Sequence, residues 1–318
     1  MPDAPLIELR NDHLTVSLRR RGAALVGLRL HDSAQNLVLG LAAPEDHDHI
    51  PIYAGALVGP IANRLERGCI TVAGIRYQMA LNENGQNTLH SGPEGLHSRD
   101  WQIKARSETS ATLICALPDG ACGLPGNRVI SATYTLQDST LSLEITATTD
   151  AATPMNIAAH PYWNLDGGGD VASHTVALHA DRYLPTGPDN LPTGQIAQTT
   201  DTPFDFTTAR HIPHDPALDV NYCLPADGAV HLAATLTGAN GTRLRLSTDA
   251  PGLQVYNGAH LPALRAALDE GGDLRPFGAI ALEPQHWPNA PHNPSFPSII
   301  LHPGETYRQT TRYHLDRV

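Results

Sequence analysis

In His160-Pro161-Tyr162-Trp163-Asn164-Leu165 a titratable imidazole stands beside two flat aromatic rings and a side-chain amide. An imidazole changes charge near neutral pH, so it can hand a proton to an oxygen and take it back at little cost. These are the parts of a sugar site, or of a core edge where His and Tyr pack for their bulk. Four further segments gather polar residues. They are Gly59-Pro60-Ile61-Ala62-Asn63-Arg64-Leu65, Asn87-Thr88-Leu89-His90-Ser91-Gly92, Leu218-Asp219-Val220-Asn221-Tyr222 and Glu283-Pro284-Gln285-His286-Trp287-Pro288. They lie far apart in the chain, so a single site needs a fold that brings them together.

Period-two alternation points to such a fold. In residues 140–148, Leu141, Leu143, Ile145 and Ala147 interleave with Ser142, Glu144, Thr146 and Thr148, which predicts a strand with one buried face. Ile130, Ala132, Tyr134 and Leu136 alternate in the same way, and Leu14-Val16-Leu18, Leu244-Leu246 and residues 307–315 repeat the pattern. His302-Pro303-Gly304 between Ile299-Ile300-Leu301 and Tyr307 reads as the turn of a hairpin. Helical spacing is confined to short pieces such as residues 261–268, and 27 Gly and 26 Pro punctuate the chain throughout. No composition shift or repeat divides it. The expectation is all-β, a large antiparallel β-sandwich, with residues 1–318 as one domain whose loops and concave face carry function.

Composition removes several classes. Only 17% of the residues are charged, and 21 Lys+Arg stand against 32 Asp+Glu for a net charge of -11, so a nucleic-acid partner is not expected. Arg19-Arg20-Arg21, the one basic cluster, reads as a solvated strand end. No stretch approaches the ~20 apolar residues of a membrane span, and Met1-Pro2-Asp3-Ala4-Pro5 lacks the basic start and apolar run of a signal peptide, so a cytoplasmic protein is expected. Cys69, Cys115, Cys122 and Cys223 form no C-x-x-C pair and read as free thiols, a Cys115–Cys122 disulfide being the alternative. Glu45-Asp46-His47-Asp48-His49 has the residue types of a metal cluster, but residues 50–60 supply no further carboxylate and a solvated loop is the reading. His174, His179, His211 and His214 belong to no motif and are expected at the surface. G-x-S-x-G, G-x-G-x-x-G and P-loop signatures do not occur.

The polar segments, in this order, resemble those of the aldose 1-epimerase (galactose mutarotase) family. The resemblance runs from about Gly59 to Leu315 and extends to Pro251-Gly252-Leu253-Gln254-Val255-Tyr256 and to residues 297–307. It implies a galactose mutarotase-like supersandwich that interconverts the α and β anomers of a free aldose such as galactose or glucose. The chemistry needs a base for the C1 hydroxyl proton and an acid for the ring oxygen, each worth typically ~10²–10⁴ in rate. The resemblance assigns Glu283 as base and His160 as acid, with no cofactor and no metal. Arg64 and His90 would bond sugar oxygens near the reacting centre and Asp219 would grip vicinal hydroxyls, while Asn63, Gln254, Tyr162 and Asn164 would line the pocket. The partner implied is a monosaccharide, bound by a monomer or homodimer.

Three positions depart from the family pattern and put the preferred sugar in doubt. Ser91 stands where Gly is usual, Pro284 where Thr is common, and Val220 where His is frequent. Arg64 is the only arginine in the matched motifs of the site, so a neutral sugar is expected over a sugar phosphate. Two other classes fit parts of the pattern. A glycoside hydrolase would use Glu283 and Asp219 as its carboxylate pair, and a non-catalytic carbohydrate-binding module would use the same fold for binding alone.

Overall fold

The computed structural model describes residues 6–43 and 46–318, without the Asp48 side chain, so Met1-Pro2-Asp3-Ala4-Pro5 and Glu45 lie outside it. Two antiparallel sheets dominate. One has nine strands in the order Arg210–His211, Thr175–Leu178, His231–Thr237, Thr242–Thr248, Tyr307–Arg317, Thr140–Thr149, Arg128–Gln137, Ser110–Leu117, Gln102–Arg106. The other has six, in the order Tyr162–Trp163, Ile280–Gln285, Gly252–Tyr256, Asp219–Cys223, Arg182–Leu184, Ala197–Gln198. A three-stranded sheet of Ile7–Arg10, Leu14–Leu18 and Leu25–Leu30 adds to them.

Alternation explains the layering. In Arg128–Gln137 the residues Ile130, Ala132, Tyr134 and Leu136 are buried while Ser131, Thr133 and Thr135 are half-buried on the opposite face. One apolar cluster takes Leu143 and Ile145 from the nine-stranded sheet, Tyr222, Leu253, Val255 and Leu282 from the six-stranded sheet, and Leu14, Val16 and Leu18 from the small one. Each such buried side chain stabilises by roughly 1.5–3 kcal/mol. On the six-stranded sheet the residues between those apolar ones point the other way, so Asp219, Gln254, Tyr256 and Glu283 share the face turned from the cluster. The register sets Gln254 opposite Glu283 and Asp219 opposite Tyr256. A slip of one residue would drive the carboxylates into the apolar layer.

Four local expectations are corrected. Residues 261–268 form turns and isolated bridges from Leu264 to Leu274 and from Leu268 to Leu41 instead of a helix; Pro262 supplies no N–H and Ala266 takes a φ of 50°. The turn at His302-Pro303-Gly304 forms, with Glu305 N–H donating to His302 O at 3.1 Å, but its flanks join different sheets: Ile300–Leu301 pairs with Thr153–Pro154, and Tyr307–Arg317 pairs with Thr140–Thr149 and Thr242–Thr248. Arg19 is not solvated, being 5% exposed, because it follows the buried run Val16-Ser17-Leu18. His174 is fully buried, and its Nε2 accepts the Leu165 N–H at 2.9 Å. His179, His211 and His214 are exposed, and all four cysteines are free. No helix among the described residues is long and apolar enough to cross a membrane.

Candidate active site

Four adjacent strands deliver Tyr162, Glu283, Gln254 and Asp219 to one face, and loop segments at Tyr53, Asn63, His90, His160 and His260 complete the site. The cavity so formed measures about 210 Å³ and is lined by Asn63, Arg64, His90, His160, Tyr162, Asp219 and Glu283, together with Pro51, Ile52, Tyr53, Leu89, Tyr256, His260 and Leu261. Seven of the nine residues expected from sequence therefore meet at one cavity. Gln254 stands behind it, its Nε2 donating to Asp219 Oδ1 at 2.6 Å. Asn164 is elsewhere: its Nδ2 donates to Gly278 O at 2.8 Å and Gly169 O at 3.2 Å, and it lines a different cavity. It ties two loops together, which is scaffold work. None of the three Trp lines the cavity; Trp101 and Trp163 are fully buried in the core, and Trp287 faces a separate groove.

The loops owe their shape to left-handed backbone at unusual positions. Asn63 has φ 61°, a conformation Asn tolerates, and its Oδ1 accepts the Arg64 N–H at 2.7 Å. Arg64 pairs in register with Leu89, which brings the loop of His90 alongside. His90 and Ser91 take φ 51° and 66° in succession, which explains why glycine suits the position of Ser91. Serine is held there by its hydroxyl, which accepts from Ile61 N at 2.8 Å and donates to Ile61 O at 3.2 Å. The other two departures do not line the cavity. Val220 is buried in the apolar layer, and Pro284 faces Leu253 where the Tyr162–Trp163 strand no longer runs alongside.

His160 is fixed through its backbone. Its N–H donates to Ala56 O and its carbonyl accepts from Gly55 N, each at 3.0 Å. Gly55 has φ 70°, and a Cβ there would stand 1.9 Å from Leu25 O, so the residue admits no side chain. The imidazole lies 4.9 Å from the Tyr162 ring and 5.4 Å from the His90 ring, with Nε2 at 3.5 Å from Glu283 Oε1. His160 Nδ1 and Glu283 Oε2 are buried and find no partner among the described residues. Hydrogen-bonding capacity is thus left for a guest.

Electrostatics separate the roles of the titratable groups. Burial, with the Asp219 charge adding to it and Arg64 opposing it, raises the Glu283 carboxyl well above the carboxylate range. Burial lowers the His160 imidazole to about 4. Opposed shifts favour a single proton shared by the pair, either as neutral acid and imidazole or as carboxylate and imidazolium. These two tautomers differ only in where that proton sits. Burial, then the neighbouring His160, His97 and Arg64, keep His90 well below the imidazole range, so it is neutral. Its Nδ1 accepts the Asn63 N–H at 3.1 Å, so Nε2 carries the hydrogen and His90 is a fixed donor. Arg64 is clamped by two carboxylates, Nε donating to Glu83 Oε1 at 2.8 Å and Nη1 to Asp219 Oδ2 at 3.3 Å. Both Asp219 oxygens are therefore engaged, each with a lone pair to spare for a hydroxyl.

His90, His160 and Glu283 present ligand atoms within 4.8 Å of one another, a spacing compatible with a metal ion. The tautomer of His90 works against that use. A metal at Nε2 would require the hydrogen to move to Nδ1, where it would face the Asn63 N–H. Residues missed by sequence reasoning are Tyr53, Tyr256 and His260, whose ring stacks on Tyr256 at 6.5 Å. Tyr256 lies two positions beyond Gln254 on the same strand face and was accessible from alternation alone; Tyr53 and His260 sit in loops and carry no such signal.

Comparison with known proteins shows the family of the chain. The family model described as aldose 1-epimerase matches residues 5–314. Galactose mutarotase of Sus scrofa is 33% identical over 316 residues, covering 96% of this chain and 92% of that protein. Aldose 1-epimerase of Escherichia coli K12 is 31% identical over 328 residues, covering 97% and 94%. Among solved structures, an aldose epimerase homologue from C. elegans superposes with a TM-score of 0.91 at 28% identity, covering 98% of this chain and 99% of that one. Galactose 1-epimerase from Lactobacillus acidophilus gives 0.83 at 28% identity, covering 98% and 94%.

Proposed function

We propose that Glu283 and His160 are the proton-transfer pair of this chain, which belongs to the aldose 1-epimerase family and interconverts the α and β anomers of an aldose such as galactose or glucose. In the ring-opening direction the Glu283 carboxylate takes the C1 hydroxyl proton. The His160 imidazolium gives its proton to the ring oxygen, the C1–O bond breaks, and the open aldehyde forms. Rotation about C1–C2 presents the other carbonyl face, and closure returns both protons along the same routes. The pair begins as carboxylate and imidazolium and ends as neutral acid and neutral imidazole, which are the two tautomers described above. Burial favours the second, so the enzyme is electrically suited to hold the open-chain intermediate.

The observation that carries the reading is the 3.5 Å approach of His160 Nε2 to Glu283 Oε1 at the cavity wall. Around it His90 donates to an oxygen beside the reacting centre, Arg64 steadies charge developing on the ring oxygen, Asp219 accepts from vicinal hydroxyls, and Gln254 orients Asp219. Asn63 shapes the loop behind His90, and Tyr162 covers one side of the ring. A hydrolase built on Glu283 and Asp219 would leave His160 without a task and would need Asp219 released from Gln254 and Arg64. We read the chain as one domain acting in the cytoplasm, where four free thiols persist. Freshly dissolved α-galactose or α-glucose tests the proposal: the enzyme should speed the polarimetric approach to equilibrium in proportion to its concentration. No acceleration with any common aldose would refute it.

A further inference from the structure

A second cavity, of about 380 Å³, lies against the sugar pocket and shares Pro51 and Tyr53 with it. Its lining includes the exposed Pro51 and Pro93 and the polar side chains of Asn82, His97 and Ser98, so it is a wet space. The Tyr53 ring is the partition. Its centroid lies 4.6 Å from that of His90 and 6.1 Å from that of His160 on the sugar side, and 4.9 Å from that of His97 on the other. The backbone that holds it there is strained: Tyr53 has φ 59°, in the left-handed region that bulky residues avoid. Its carbonyl accepts the Ala56 N–H at 3.0 Å, and the Gly55 N–H in the same turn donates to the His160 carbonyl, so one turn fixes both rings. At its far end the phenol hydrogen-bonds Asn82, whose Oδ1 accepts the Leu89 N–H at 2.8 Å and whose Nδ2 donates to Leu89 O at 3.0 Å. Tyr53 is thereby tied to the loop that carries His90.

We propose that Tyr53 is a positioning residue for the epimerase reaction, a wall that keeps the water of the second cavity from the Glu283–His160 pair while a sugar fills the pocket. The inference rests on the mutarotase reading and extends it by one residue. Burial is the largest influence on His90, His97 and His160 and lowers all three, and the Tyr53 ring packs against each of them. The titratable groups around His160 are Glu283 from the neighbouring strand, Tyr162 from its own segment, and His90 and His97 from adjoining loops. Arg64 and Asp219 act on Glu283 from the cavity wall, Arg21 acts on His97, and Glu83 acts on Tyr53. All of these stay when the Tyr53 ring is removed, so what changes is access of water. Water favours the charged states of the pair, with both protons or with none, over the neutral state with one. Loss of the ring therefore moves the acid limb of activity up in pH and the alkaline limb down.

The test follows kcat for galactose against pH by polarimetry, with the buffer-catalysed rate subtracted, in the full-length wild type, Tyr53→Phe, Tyr53→Gly and Tyr53→Asn. The quantity is kcat because it reports the pair with sugar bound. Glycine and asparagine both accept left-handed backbone, so these two variants lose the ring without added strain. Tyr53→Phe keeps the ring and should leave both limbs where wild type has them. Tyr53→Gly and Tyr53→Asn should bring the limbs closer by about one pH unit or more, and one unit is a tenfold change in rate at a fixed pH on a limb. Unmoved limbs in the ring-free variants, at whatever kcat, overturn the assignment, as does loss of turnover at every pH in both of them. A shift of equal size in Tyr53→Phe would trace the effect to the Asn82 bond and overturn it too. Wild type that accelerates mutarotation of no common aldose overturns the mutarotase reading instead.

Discussion

The pH profile expected of the proposed Glu283–His160 pair follows from its burial. Catalysis needs one proton on the pair: with two, Glu283 is no base, and with none, His160 is no acid. Because burial lowers His160 to about 4 and raises Glu283, the second proton binds only in that acidic region and the last one leaves above the ordinary carboxylate range. Activity is therefore lost as pH falls through the lower apparent value, which belongs to the pair and lies about 2.5 pH units below an ordinary imidazole near 6.5. That difference corresponds to about 3 kcal/mol of environmental disfavour for the charged ring. At pH 5.5 a pair titrating near 6.5 would retain about a tenth of its activity, whereas this pair should retain nearly all of it. Polarimetric stopped-flow on galactose from pH 4 to 8, with the buffer-catalysed rate subtracted, reads the limb directly. A tenfold fall in kcat/KM between pH 7.5 and 5.5 would show that His160 is not desolvated as the structure indicates.

Other consequences concern the scaffold. Ser91→Ala keeps the left-handed backbone but loses the two bonds to Ile61, so stability should fall by about 1–3 kcal/mol in urea melts while galactose KM stays close to wild type. Gly55→Ala should destabilise by more than about 2 kcal/mol or prevent folding, since its Cβ meets Leu25 O at 1.9 Å and its N–H holds the His160 carbonyl; normal melting of that variant would contradict the packing described. Cys115 and Cys223 are raised to about 11 and about 12 by burial, so native protein should react with a thiol reagent at pH 8 far more slowly at these two positions than unfolded protein, as mass mapping of the modified peptides can show.

The sandwich was legible because its strands alternate cleanly, as in Thr140–Thr149, where buried and half-exposed positions follow the sequence pattern through most of the strand. Chain pairing was not. Ile299-Ile300-Leu301 looks like half of a hairpin with Tyr307, and only the layered packing sends the two into separate sheets. Within the site, residues on paired strands were recognisable, since Glu283, Gln254 and Asp219 occupy equivalent faces of neighbouring strands in register. Asn164 was misplaced because an amide near a histidine says nothing of which way its strand end turns. Arg19 failed for a related reason: its charge suggests solvent, and its burial depends on contacts from distant segments.

The central claim is that Glu283 and His160 act as a proton-transfer pair, and mutarotation of α-galactose by Glu283→Gln and His160→Asn tests it most directly. Each substitution preserves shape while removing one proton route, so kcat should fall by about 10²–10⁴ with KM changed only modestly. Near-normal turnover in either variant would remove that residue from the mechanism and contradict the account.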